Sequence, residues 1–158
     1  MLDEALFSDL DAAQIAPGLW IGSAPPTGDA CAVAGFQEVM LCAREYQPRS
    51  WEMPGVKVVH AGFHDQDPPD SADALTARLG ALRVARSLVE GQQVLVTCWR
   101  GRNRSGLVCA LALRQLYGLS GHRAIARVRA ARPTALTNPA FCQMVVQAPG
   151  VELLRAQP

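Results

Sequence analysis

The stretch Val94-Leu95-Val96-Thr97-Cys98-Trp99-Arg100-Gly101-Arg102-Asn103-Arg104-Ser105-Gly106 restricts this chain more than any other. A short β-branched run reads as a buried strand. It stops at a cysteine, five loop residues follow, and Arg104-Ser105-Gly106 opens an apolar helical segment. That order places the loop at a helix N-terminus, where unpaired N–H groups and the positive end of the dipole favour an anion. Successive N–H groups turned inward around Gly101 form a nest of phosphate size. Arg104 adds a planar fork able to grip two phosphate oxygens. Cys98 starts the loop in the same positive field, which favours thiolate over thiol. A sulfur nucleophile beneath an anion cradle suits phosphoryl transfer. Read alone, Cys98 is a small buried apolar residue, the usual fate of a cysteine; the strand-loop-helix frame turns the reading toward chemistry.

The 158 residues fit one domain spanning 1–158, with 1–13 either a loose N-terminal arm or a short helix carrying Leu2, Leu6 and Leu10. The net charge of +1 gives no pull toward nucleic acid or a membrane surface. Lys57 is the only lysine, so any single arginine is weak evidence of a site. Five cysteines (Cys31, Cys42, Cys98, Cys109, Cys142) show no CxxC spacing, no basic leader precedes an apolar core, and no apolar run is long enough to span a bilayer. A reducing cytoplasm is the expected location, with no integral membrane association. His60, His64 and His122 imply no metal site. The oligomeric state is not legible.

Along the chain, Ile15 to Ser23 reads as a turn leading into a first strand, and Val39 to Ala43 as a buried second one. A third strand is expected from Val56 to about Ala61. A helix follows the acidic loop Asp65-Gln66-Asp67-Pro68-Pro69-Asp70, with Leu75, Leu79, Leu82, Ala85 and Val89 as its inner face. Helices are also expected from Leu107 to Tyr117, from Ser120 to about Ala131, and from Asn138-Pro139 to about Gln147. Arg123, Arg127, Arg129 and Arg132 read as a solvated face. The alternation predicts an α/β fold with a central, mostly parallel sheet of four to five strands flanked by helices. In such sheets sites lie beyond the C-terminal strand ends, where Cys98 falls and where Asp65 and Cys42 are expected to converge with it.

Several separated pieces resemble the dual-specificity branch of the cysteine-based protein tyrosine phosphatase superfamily. They are Ile15 to Ser23, Met40-Leu41-Cys42-Ala43, Asp65 followed by Pro68-Pro69, the Cys-x5-Arg-Ser loop, and Arg129-Ala130-Ala131-Arg132-Pro133 followed by Asn138 and Phe141. Together they span residues 15–145. The resemblance implies the cysteine-phosphatase fold and a phosphomonoester hydrolase working through a cysteinyl-phosphate. In it Cys98 attacks phosphorus, Arg104 and the loop amides hold the equatorial oxygens, Asp65 is the general acid, and Ser105 donates to the departing thiolate. Asp67 is the competing carboxylate. Trp99, Arg100, Gly101, Arg102 and Asn103 would contact substrate, and no metal or other cofactor is required.

The expected substrate is a phosphorylated protein or a small phosphorylated molecule, with phospho-Tyr/Ser/Thr proteins ahead of phosphoinositides or inositol polyphosphates. The latter alternative rests on the basic Arg100 and Arg102 and on some likeness to tensin-type phosphatases. Thr97 departs from the family, which usually has histidine before the cysteine, so a catalytically weak phosphate-binding module stands as the rival from another class. Cys42 is either a core cysteine or a thiol able to form a reversible disulfide with Cys98.

Overall fold

The computed structural model describes residues 10–151 and 153. Five strands form one sheet in the order β1-β2-β5-β3-β4: β1 Ala12–Ala16, β2 Leu19–Gly22, β3 Glu38–Leu41, β4 Lys57–His60 and β5 Val94–Thr97. The pairs β2–β5, β5–β3 and β3–β4 are parallel, and β1 closes the edge antiparallel to β2. The expected mostly parallel sheet is therefore present, with the extra edge strand making it mixed. That strand corrects the reading of the N-terminal segment. The sequence Ala-Ala-Gln-Ile-Ala has weak strand preference, and it pairs because Pro17 and Gly18 (φ +77°) turn the chain back onto β2. Residues 1–9, where the arm or helix was expected, lie outside the described residues.

Side chains alternate across the sheet with period two. Leu19, Ile21, Met40, Val94, Val96 and Cys98 face one core, and Val39, Leu41 and Leu95 face the other. The first core is covered by α2 (Ser71–Val89), α3 (Arg104–Tyr117), α4 (Gly121–Ala131) and α5 (Pro139–Gln147). The second lies under the short α1 (Ala30–Val33), with Leu10, Phe36 and Met53. Asp70 caps α2 by accepting from Asp73 N–H at 2.8 Å, Ser120 caps α4, and Asn138 caps α5 ahead of Pro139.

The inner face of α2 is not the one its leucines suggest. Ala77, Gly80, Ala81, Val84, Ala85 and Leu88 are buried, whereas Leu75, Leu79 and Val89 are about half exposed. A Cβ on Gly80 would stand 3.2 Å from Met40 Sδ. The small-residue stripe therefore lets α2 approach the sheet and α3 more closely than a leucine stripe would.

Candidate active site

The cysteine loop hangs between the C-terminal end of β5 and the first turn of α3. Its carbonyls are held from outside: Trp99 O accepts from Ala24 N–H (3.1 Å), Arg100 O from the Arg132 guanidinium (2.9 Å) and Arg102 O from Leu136 N–H (3.2 Å). In a trans peptide the N–H points opposite the preceding C=O. Those three outward carbonyls therefore turn the N–H groups of Arg100, Gly101 and Asn103 inward. Gly101 sits at φ +65°, and a Cβ there would lie 2.5 Å from the Gly22 carbonyl carbon. Only glycine fits that left-handed, close-backed position.

Cys98 is 3 % exposed, and its Sγ lies 3.2 Å from Ser105 Oγ. Above it is a hollow of about 280 Å³ lined by Asp65, Cys98, Trp99, Arg100, Arg102, Asn103, Arg104 and Thr137. The loop residues named from the sequence thus come together around one cysteine, backed by Gly101, and Asp65 joins them. Asp67 is absent from that lining. Trp99 stacks on Tyr46 with ring centroids 5.0 Å apart, and the Arg100 guanidinium lies 4.8 Å from the Trp99 ring centre. Trp99, backed by Tyr46, gives the hollow an aromatic wall.

Arg104 is buried, and a buried guanidinium needs partners. Nη1 and Nη2 donate to the two carboxylate oxygens of Glu45 at 3.1 and 2.5 Å, and Nη1 also donates to Phe63 O. Glu45 takes the end of the fork, leaving the edge made by Nε and the second Nη2 hydrogen for an anion. Sequence reasoning missed Glu45. The available signal was its place just past β3, beside the strand that carries Cys98. Thr97, where the resemblance leads one to expect histidine, is fully buried. Its hydroxyl has Met40 O and Gln47 Oε1 as acceptors, each at 3.3 Å, so it ties the loop's base to β3 and the segment after it.

Three of the four arginines read as a solvated face, Arg127 and Arg129 on α4 and Arg132 at its C-cap, have partners. Arg127 donates to Ile15 O, Arg129 to Ala135 O and Leu136 O, and Arg132 to Asp11 as well as to Arg100 O. Cys42 lies beside the site, its N–H donating to Thr97 O, and burial pushes its thiol well above the ordinary range. Burial likewise raises Cys109. Among the described residues no cluster of three or more His, Cys, Asp or Glu could hold a metal ion. No helix among them is long and apolar enough to cross a membrane.

The sequence is 34% identical over 131 residues to human dual specificity phosphatase 28, an alignment covering 81% of this chain and 72% of that protein. The chain belongs to the dual-specificity phosphatase family. The mouse protein of the same name is 33% identical over 132 residues, covering 82% of this chain and 78% of its own. No family model matches the chain. The fold superposes on a mouse putative dual specificity phosphatase, crystallised with zinc tungstate, at a TM-score of 0.75 and 28% identity, covering 92% and 89% of the two chains. This protein is therefore a phosphatase with the cysteine-phosphatase fold.

Three carboxylates around this hollow are expected to make the fold sensitive to acid. Arg132 holds Asp11 below the usual carboxylate range, and Arg104 does the same to Glu45. Burial acts to raise Asp73, but hydrogen bonds from the His64 N–H and imidazole outweigh it and leave Asp73 lowered as well. Each binds its proton more weakly folded than unfolded. Its stabilisation is therefore complete above the ordinary values of 3.8 (Asp) and 4.5 (Glu) and lost as pH falls through the lower folded values. Asp11 and Glu45 face solvent, which reduces their share. The thermal midpoint is expected to hold from pH 7 to 5 and to drop by about 5 °C by pH 3. A midpoint flat to pH 3 would remove these pairs from the account.

Proposed function

We propose that this phosphatase hydrolyses phosphomonoesters of phospho-Tyr/Ser/Thr proteins through a phosphocysteine on Cys98. The observation that carries the reading is that Cys98, Arg104 and Asp65 line one and the same hollow. The Cys98 thiolate attacks phosphorus while the bond to the ester oxygen breaks and Asp65 delivers a proton to that oxygen. Arg104 and the inward N–H groups of Arg100, Gly101 and Asn103 stabilise the equatorial oxygens. Water then attacks the phosphocysteine and gives its proton to Asp65. The P–S bond breaks, and Ser105 O–H donates to the sulfur as it regains its charge. The zinc tungstate complex of the mouse relative supports the reading, since tungstate is a tetrahedral oxyanion like phosphate.

The stacked Tyr46–Trp99 wall supports a peptide carrying an apolar or aromatic group beside its phosphate. Arg100 and Arg102 on the same hollow favour a second reading, a phosphoinositide or inositol polyphosphate with more than one phosphate. Five free cysteines support a reducing cytoplasm as the compartment. The reading is tested by kcat/KM over phosphotyrosyl and phosphoseryl peptides and soluble inositol phosphates, for the natural chain and for Asp65→Asn and Asp67→Asn. Peptides should lead, Asp65→Asn should lose about 10²-fold on them, and Asp67→Asn should stay within about threefold. Leading inositol phosphates would install the second reading. No turnover of any substrate would leave a phosphate-binding module.

A further inference from the structure

Two asparagines, not one loop carboxylate alone, define where the acid stands. Asp65 is exposed, yet both its oxygens are held: Oδ2 accepts from Asn103 Nδ2 and Oδ1 from Asn138 Nδ2, each at 2.9 Å. The amide orientations follow from the backbone and are not arbitrary. Asn103 Oδ1 accepts from Thr137 N–H (2.8 Å), Thr137 Oγ1 (3.2 Å) and Asn138 N–H (3.0 Å), donors that fix which end is oxygen. Its Nδ2 must then face Asp65. Asn138 Oδ1 accepts from the N–H groups of Ala140 and Phe141 as the cap of α5, which turns its Nδ2 toward Asp65 and the carbonyl of Gln66.

Asn103 is the residue immediately before Arg104, so its backbone belongs to the anion cradle while its side chain reaches the acid loop and the α4–α5 connection. We propose that Asn103 is the positioning residue for the general acid, registering Asp65 against the phosphate-gripping loop with no lid closure required. This rests on the reading of Asp65 as the acid. An exposed carboxylate on a loop samples several rotamers, and a proton must be delivered at hydrogen-bond distance to the leaving oxygen. Holding both oxygens from two rigid helix starts removes that search in advance. The loss of Asn103 therefore falls on proton delivery and only secondarily on phosphate capture.

The test compares phenyl phosphate, whose leaving oxygen is as basic as tyrosine's (pKa about 10), with p-nitrophenyl phosphate, whose leaving group departs with little help. The loss of kcat/KM in Asn103→Ala is expected to be at least about fivefold larger on phenyl than on p-nitrophenyl phosphate. Asn103→Ser, which keeps an acceptor near Thr137 N–H but no amide donor to Asp65, should behave alike and serves if the alanine chain loses its fold. In an Asp65→Asn background the Asn103→Ala substitution should leave the ratio of the two substrates unchanged, because the group it acts through is gone. Equal losses on both substrates, or a leaving-group effect that persists in the Asp65→Asn background, would show a purely structural role and overturn the proposal. Should Asp65→Asn itself fail to discriminate between the two substrates, the reading of Asp65 as acid falls and takes the proposal with it. That outcome is distinguishable because it appears in the single Asp65 variant.

Discussion

Cys98→Ser is expected to lower kcat on any phosphate monoester by about 10⁴-fold or more, with the thermal midpoint within about 3 °C of the natural chain. Sulfur and oxygen differ little in size at a side chain that is already 3 % exposed, so packing changes little. The chemistry changes completely, because a serine hydroxyl in this loop has no adjacent base to take its proton. In the proposed cycle Asp65, which lines the same hollow, is a proton donor to the leaving group, and the Ser105 hydroxyl beside Sγ is a donor to sulfur. The inward N–H groups and Arg104 remain, so the variant should still bind substrate and hold it without turnover. Measured burst kinetics should show no phosphoenzyme, while inorganic phosphate still protects the chain against unfolding. Residual turnover within about a hundredfold of the natural enzyme would mean that some other group attacks phosphorus.

Gly101→Ala is expected to cost more than one methyl group ordinarily does, about 2–4 kcal/mol of stability and about 10²-fold or more in kcat/KM. A Cβ at that position would come within 2.5 Å of the Gly22 carbonyl carbon, 2.6 Å of its oxygen and 2.8 Å of Ser23 N, all of them backbone atoms that cannot swing aside. The residue's φ of +65° adds the strain that any side chain meets in the left-handed region. Relief requires moving the loop away from the end of β2 or flipping the Gly101 peptide. Either change turns inward N–H groups away from the anion. Denaturant unfolding and kcat/KM on p-nitrophenyl phosphate check the two halves of the expectation. Near-normal values of both would mean that the loop tolerates displacement and that the N–H cradle contributes little.

If Asn103 and Asn138 hold Asp65 as the structure has it, the site is assembled before substrate arrives. Binding energy then goes to gripping the phosphate and not to closing a segment. The half-exposed Leu75, Leu79 and Val89 on α2 lie on a different element from this apparatus.

What could be read from the chain alone was whatever is local. Val94 to Gly106 carries strand, loop and helix start in thirteen consecutive residues, so periodicity, glycine and arginine together announced an anion cradle. The position of Asp65 just past a recognisable strand is legible in the same way, whereas its candidacy as the acid comes from the family resemblance. Only the tertiary structure decided which face of α2 is buried. Large apolar side chains favour burial in general, but close packing selected the glycine and alanine stripe that lets helix and sheet approach. It also decided that Ala12–Ala16 is a strand, since an edge partner can be supplied by a turn even where intrinsic preference is weak. Above all it decided the partners of the site residues: Glu45 for Arg104, 59 positions away, Asn138 for Asp65, 73 away, and Asp11 for Arg132, 121 away. A buried charge or an exposed carboxylate states in sequence only that it needs a partner. Which loop provides that partner depends on how the strands are ordered, and that order is a property of the folded sheet.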